Sequence, residues 1–279
     1  MSDFKDWVGR RVRATGVVES WPLAGLAGVI DEISGVGAVA AKGDIHPCAH
    51  WLYFVPNVPG SRLGADGHPV RGDFIPPLPQ VSRMWAKSVM TYASPVRVGE
   101  RLEKISTLAS IERKQGKTGS LVFVEIDNEY RCGDSLVRRE RQTLVYHDHR
   151  AYEDSVFTER AGQKCDWSHE VQFGAVDLFR YSAVTFNGHR IHYDADYSRM
   201  VEGYPGIVVQ GQLIATVILS QALSRSGVGS CRQFTFRAVK PIFCDQRFYV
   251  EGRVGDHGNI IAWARQEDGR LNMMAEILL

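Results

Sequence analysis

Leu213 to Leu223 is the stretch that most constrains what this chain can fold into. Leu213, Ile214, Ala215, Val217, Ile218 and Leu219 follow one another with little polar interruption. On a helix they cover most of the circumference, so the helix must be enclosed by protein on nearly every side. The wider apolar region, Gly206 to Leu219, is too short and too interrupted by Gln210 and Gln212 to span a bilayer. The segment that feeds this helix is its opposite in character. FRYSAVTFNGHRIHYDADYSRMVEGYPGIVVQG, from Phe179 to Gly211, reads as a polar loop with Asn187, His189, His192, Asp194 and Asp196 inside ten residues. A helix start offers unbonded backbone N–H groups and positive dipole potential. An imidazole takes or gives a proton near neutral pH. A histidine-rich loop delivered to the start of a buried helix is therefore a candidate site of chemistry.

The rest of the chain reads as scaffold and walls. Residues 18–34 form an amphipathic helix pattern, with Leu23, Leu26, Ala27, Ile30 and Ile33 on one face. Ser20 is placed to cap it, and Pro22 falls in the first turn. Residues 43–88 are rich in proline and glycine and read as a long loop, a cover over a sheet edge or a substrate-enclosing lid. This loop carries His46, His50, His68, Arg71, Arg83, Trp51 and Trp85. From Val89 to Tyr146 the alternation of Val122, Val124 and Ile126 with polar neighbours predicts strands. Residues 147–167 are polar and aperiodic and serve as a connector. After the apolar helix, four strands are expected: around Phe234–Ala238, Phe248–Val254, Ile260–Ala264 and Leu271–Ile277.

The two halves, 1–150 and 168–279, look related. Aligning YASPVRVGERLEKIS with FRAVKPIFCDQRFYVEGRV sets Pro95 opposite Pro241 and Leu102 opposite Phe248. Each half would then be one helix followed by an antiparallel sheet, a duplication of a whole fold.

Composition excludes several classes. The formal net charge is +1 and no long run of like charge occurs, which gives no support to nucleic-acid or membrane-surface binding. The N-terminus MSDFKDWVGRR carries Asp3 and Asp6 and no apolar stretch, so no signal peptide is expected and a cytoplasmic location is. Five widely spaced cysteines without a CxxC read as reduced thiols, neither disulfide framework nor zinc site.

YSAVTFNGHRIHYD, followed by VVQG and a long apolar helix, resembles the hydratase motif of MaoC-like acyl-CoA hydratases. The resemblance is to the hydroxyacyl-thioester dehydratase type 2 branch, which includes mesaconyl-CoA and itaconyl-CoA hydratases. DWVGR at 6–10, HWLYF at 50–54, LGADGHPVRGDFIPPLP at 63–79 and RMWA at 83–86 are phrases of that branch. The resemblance spans nearly the whole chain. It implies an α+β double hot-dog, two helices each wrapped by an antiparallel sheet, with the hydratase motif in the second half only. It implies reversible addition of water to a 2-enoyl-CoA thioester, a homodimer, and no metal or other cofactor, coenzyme A being part of the substrate.

Water addition places negative charge on the thioester oxygen, which backbone N–H groups at a helix start can stabilise. Gly211 matches the family glycine in this role, and His192 matches the family histidine that moves the proton. The family aspartate five residues earlier is Asn187 here, which can orient water through its carbonyl but cannot be a carboxylate base. His189 and Asp194 are the supporting candidates, though Asp194 and Asp196 also read as local caps. Without the resemblance His192 would read as a buried histidine satisfied by hydrogen bonds, and Tyr181 as packing. Arg71, Arg83, Trp85, Arg190, Tyr193, Val209 and Gln210 are the expected substrate-binding residues. An arginine fork matches a free carboxylate, so the preferred substrate is a branched dicarboxylic thioester. Itaconyl-CoA or mesaconyl-CoA would be hydrated to citramalyl-CoA, as in itaconate degradation. A dehydratase of 3-hydroxyacyl thioesters on fatty-acyl chains, a non-catalytic acyl-thioester binding protein and a thioesterase are the alternatives.

Overall fold

A computed structural model describes residues 4–34, 43–80, 82–116, 119–148, 152–162, 164–256 and 258–279. In the first half β1 (Arg11–Val17) and α1 (Ser20–Ser34) are followed, after a long irregular segment, by β2 (Ser82–Tyr92). Then come β3 (Arg101–Gly116), β4 (Gly119–Cys132) and β5 (Ser135–His147). The second half begins with β6 (Trp167–Gln172), α2 (Ala175–Thr185), α3 (Ala195–Met200) and α4 (Gly211–Ser226). It ends with β7 (Gln233–Ala238), β8 (Arg247–Val254), β9 (Ile260–Gln266) and β10 (Leu271–Leu278). Period-two burial drives the strands: in β4 every second residue from Val122 to Tyr130 is buried.

All ten strands join one antiparallel sheet in the order β1-β3-β4-β5-β2-β7-β10-β9-β8-β6. Read inward from its two edges, the first half runs β1, β3, β4, β5, β2 and the second runs β6, β8, β9, β10, β7. The same strand order thus occurs twice, and β2 meets β7 with Lys87 opposite Arg237 and Thr91 opposite Gln233. Pro95 and Pro241 fall in matching connections, β2 to β3 and β7 to β8, and Leu102 and Phe248 are each the second residue of their strand.

Helix α4 is the enclosed helix that its composition demands. Every residue from Leu213 to Leu223 is buried, and α4 packs against β7, β8, β9, β10 and α1. Gly227 ends it in the left-handed region, φ 71°, as C-terminal glycines do.

Four expectations need correction. Among the described residues no long helix lies along the first-half sheet: α1 packs on α2, α4 and β6. One face of that sheet is covered by the proline-rich segment, with Trp51 against Glu140 and Leu78, Phe74 and Ile75 against Leu108, Val122, Val124 and Leu144. Pro47, Pro56, Pro59, Pro69, Pro76, Pro77 and Pro79 prevent that segment from forming the missing helix. Second, residues 82–88 are strand β2, not loop. Third, the stretch from Phe179 is only partly loop, because α2 continues to Thr185 and α3 interrupts it. Fourth, β1 has no counterpart in the sequence reading. In α1, Leu23, Leu26 and Ile30 are buried as expected; the side chain of Ile33 lies outside the described residues. All five cysteines are unpaired. Among the described residues no helix is long and apolar enough to cross a membrane.

Candidate active site

The histidine loop is shaped by its own backbone. α2 ends at Thr185, and Phe186 adopts the left-handed conformation, φ 49°, which turns the chain outward. The N–H of Asn187 bonds back to Ser182 O at 2.8 Å. Asn187 Oδ1 accepts the N–H of His189 at 3.1 Å. A single 3-10 turn, Arg190–His192, follows. Asp194 then caps α3 by accepting the N–H of Tyr197 at 2.9 Å.

His192 is buried, and its Nδ1 lies 2.7 Å from the carbonyl oxygen of Val208. A carbonyl only accepts, so Nδ1 carries the proton and Nε2 presents a lone pair. No protein group among the described residues bonds that Nε2. Burial lowers the His192 pKa to about 4, against the raising effect of the Val208 bond. The ring is therefore a neutral acceptor at neutral pH. His189 is buried beside it, ring centroids 5.4 Å apart and planes at 88°. Burial, then the neighbouring His68, His192 and Arg83, push its pKa down as well. Neither ring nitrogen of His189 has a protein partner among the described residues.

The first half reaches this loop through residues 64–69, a small loop closed by a bridge between Leu63 and Pro69. Arg190 N–H bonds Asp66 O at 2.9 Å, and Arg190 Nη1 bonds Ala65 O at 3.1 Å. Gly67, φ 86°, crosses Gly188 so closely that a Cβ at 67 would run into the Gly188 carbonyl. The crossing seats the His68 ring on His189, centroids 4.2 Å apart. His68 Nδ1 lies 3.1 Å from Asp66 Oδ2, and its Nε2 meets the Arg83 guanidinium. Asp66, His68 and His189 hold ligand atoms within 4.8 Å of one another. Both nitrogens of His68 are engaged by Asp66 and Arg83, and His189 joins the grouping through its ring contact with His68.

Beside His68 opens a cleft of about 420 Å³. Arg71, Arg83, His68 and Asp66 form its polar wall, and Pro69, Val70, Pro77, Leu78 and Val201 its apolar one. Its lining does not include His192, Asn187 or Gly211; His68 and His189 lie between it and His192. Arg71 donates to Gln80 O and sits over Tyr146, 5.4 Å from the ring centroid. Gly211 is the first residue of α4. The first intrahelical donors are Leu213 and Ile214, so the Gly211 N–H stands at the open end of the helix. A Cβ there would meet nothing within 4 Å.

Several expected binding residues are engaged elsewhere. Arg190 pairs with Asp194 at 2.7 Å and holds the 64–68 loop. Tyr193 OH donates to Gly188 O at 2.9 Å. Val209 N–H bonds Ile242 O at 2.8 Å. Gln210 Nε2 donates to Leu178 O and Ser182 Oγ, tying α2 to the start of α4. Trp85 packs on Trp51 and Phe236 and is not in the cleft lining. Asn187 differs too: His189 N–H engages its Oδ1, so the group left without a protein partner among the described residues is its NH₂, a donor. The sequence reading missed Asp66 and the placement of His68. Their signal was the Asp66-Gly67-His68 triplet within the LGADGHPVRGDFIPPLP phrase.

A double hot-dog fold whose buried histidine loop leads into a glycine-started helix has the parts of a site that moves a proton beside an anion-stabilising helix start. Comparison with known proteins agrees. The sequence model of hydroxyacyl-thioester dehydratase type 2 matches residues 48–244. The chain is 35% identical over 246 residues to the mesaconyl-C(4)-CoA hydratase of Chloroflexus aurantiacus, covering 87% of this chain and 86% of that protein. The structure resembles a MaoC-like dehydratase from Phytophthora capsici, TM-score 0.70 at 14% identity, over 97% of this chain and 95% of that one. It also resembles a double hot-dog protein of Mycobacterium tuberculosis, TM-score 0.55 at 11% identity, over 97% and 95%. The chain belongs to the hydroxyacyl-thioester dehydratase type 2 family and is an enzyme of the hydratase and dehydratase class.

Proposed function

We propose that the enzyme hydrates a branched dicarboxylic enoyl-CoA, mesaconyl-CoA or itaconyl-CoA, to citramalyl-CoA. The observation that carries this reading is the cleft wall of Arg71 and Arg83, set against the histidine loop. Likeness to the mesaconyl-C(4)-CoA hydratase supports it. His192 Nε2 accepts a proton from water as the water oxygen bonds the β-carbon. The double-bond electrons move to the thioester oxygen, where the Gly211 N–H at the start of α4 stabilises the charge. The proton held on His192 Nε2 then passes to the α-carbon, the carbonyl reforms, and His192 returns to its neutral form. Asn187, with its NH₂ free, holds water by donating to its oxygen. The reaction uses water and the thioester and calls for no further cofactor. A cytoplasmic homodimer belongs to the same proposal, and sedimentation at known concentration tests its dimeric part.

A dehydratase of ordinary 3-hydroxyacyl thioesters is the second reading, favoured by the apolar wall of Pro69, Val70, Pro77 and Leu78. The deciding experiment is a mass-resolved assay with itaconyl-CoA, mesaconyl-CoA and crotonyl-CoA side by side. A water adduct on the dicarboxylic thioesters but not on crotonyl-CoA is expected. Preference for crotonyl-CoA sinks the reading in favour of the second one, and no adduct on any of them leaves a binding protein.

A further inference from the structure

We infer that Asp66 and His68 are positioning residues that aim Arg83 at a carboxylate of the acyl group, carried close to the carbon that receives the hydroxyl. This rests on the hydratase reading and adds to it a specificity device supplied by the first half.

His68 is locked at both ends. Asp66 Oδ2 accepts from its Nδ1, and Asp66 Oδ1 accepts the His68 backbone N–H at 3.0 Å. With the proton on Nδ1, Nε2 carries the lone pair, and that lone pair faces an Arg83 N–H. A proton on Nε2 would set two donors against each other. His68 is therefore a neutral strut, not an acid or base for the substrate.

The Arg83 bond to His68 is the only one it makes among the described residues, and no carboxylate pairs with it there. Its other guanidinium N–H groups belong to the cleft it lines. The one carboxylate in that lining, Asp66, is engaged by His68. Arg71 adds a second cation to the same wall. The cleft therefore has two guanidinium groups and no carboxylate free to answer them, which suits an incoming oxyanion. The clamp sits only two ring contacts from the proton-moving histidine, His68 on His189 and His189 by His192. Such closeness fits a carboxylate near the reacting carbon, not one at the end of a long acyl chain.

The test uses unreactive thioesters and calorimetry. Succinyl-CoA carries a carboxylate where butyryl-CoA carries a methyl, and adipyl-CoA carries one farther out. Wild type is expected to bind succinyl-CoA about tenfold or more tighter than butyryl-CoA, with no such gain for adipyl-CoA. Arg83→Lys and His68→Ala should bring the ratio to near one. His68→Gln should keep most of it, because the amide oxygen still accepts from Arg83, and it guards against a merely misfolded alanine variant. A wild-type ratio near one, a ratio untouched by His68→Ala, or an adipyl-CoA gain equal to that of succinyl-CoA overturns the inference. So does equal weakening of both thioesters and free coenzyme A, which would assign the cleft to a phosphate. Absent turnover with the ratio intact would instead sink the hydratase reading and leave the clamp standing.

Discussion

The proline-rich segment of the first half supplies histidines to two buried clusters, and they differ in one respect. In the first, His46 Nδ1 accepts the Cys48 N–H at 3.1 Å and its Nε2 meets Ser220 Oγ at 3.1 Å. His50 lies between Pro47 O, 3.0 Å, and Glu140 Oε2, 3.3 Å. Glu140 also accepts from Trp51, Ser88 and Tyr130. Burial pushes its pKa up, but the His50 hydrogen bond and the other polar partners outweigh it and hold the carboxyl at about 2. In the second cluster, among the described residues, His192 has one nitrogen without a protein partner and His189 has two. Burial depresses both clusters alike, His46 to about 3 and His192 to about 4. A lowered pKa therefore does not separate them. The closed cluster joins α4 to the first-half sheet, whereas the open one can hold water.

The largest expected effect breaks the comparison at its open end. His192→Ala should lower kcat by about 10²- to 10⁴-fold while thioester affinity and thermal midpoint change little. Steady-state kinetics, calorimetry and thermal unfolding read the three quantities. Surviving turnover would remove His192 from the chemistry. Glu140→Ala should do the reverse. It strips the acceptor from four donors and should destabilise the fold by about 3–5 kcal/mol, with kcat per folded molecule retained. Denaturant titration beside activity checks this. Lost activity at unchanged stability would mean the closed cluster is not closed.

What the sequence made legible follows from which signals are local. α4 was readable because an all-round apolar helix has one physical solution. The duplication was readable from the paired prolines and strand starts. β1 was not, because RVRATGV is an edge strand with almost every side chain exposed, so burial imposes no alternation. α2 was not, because Val176 and Phe179 are exposed apolar residues that blur its buried stripe of Leu178, Tyr181 and Thr185. His192 and Gly211 came from the motif. His68 could not be told from His46 or His50, which share its segment. Only the crossing of Gly67 over Gly188, some 120 residues away in sequence, puts His68 on the site.

The smallest effect sharpens the comparison by pH. The His46 pKa falls from 6.5 in the unfolded chain to about 3 when folded. Above about pH 6.5 the ring is neutral in both states, and its contribution to stability is fully present. As the pH drops below that value the unfolded chain binds a proton that the folded ring refuses. Stability is therefore lost progressively between about pH 6.5 and pH 3, by about 2 kcal/mol for this ring at pH 5. His192, lowered to about 4, adds a loss of the same sign over a narrower window. His46→Gln keeps an acceptor for Cys48 and a donor for Ser220 but cannot titrate. Its denaturation free energy should fall less steeply from pH 7 to pH 5 than that of wild type, by about one ring's share. Bound thioester should leave the His46 share intact, because that cluster is closed to it, and should alter only the share of His192. An unchanged slope in His46→Gln would mean that His46 titrates alike in the folded and unfolded chain, and the distinction between the two clusters would then rest on Glu140 alone.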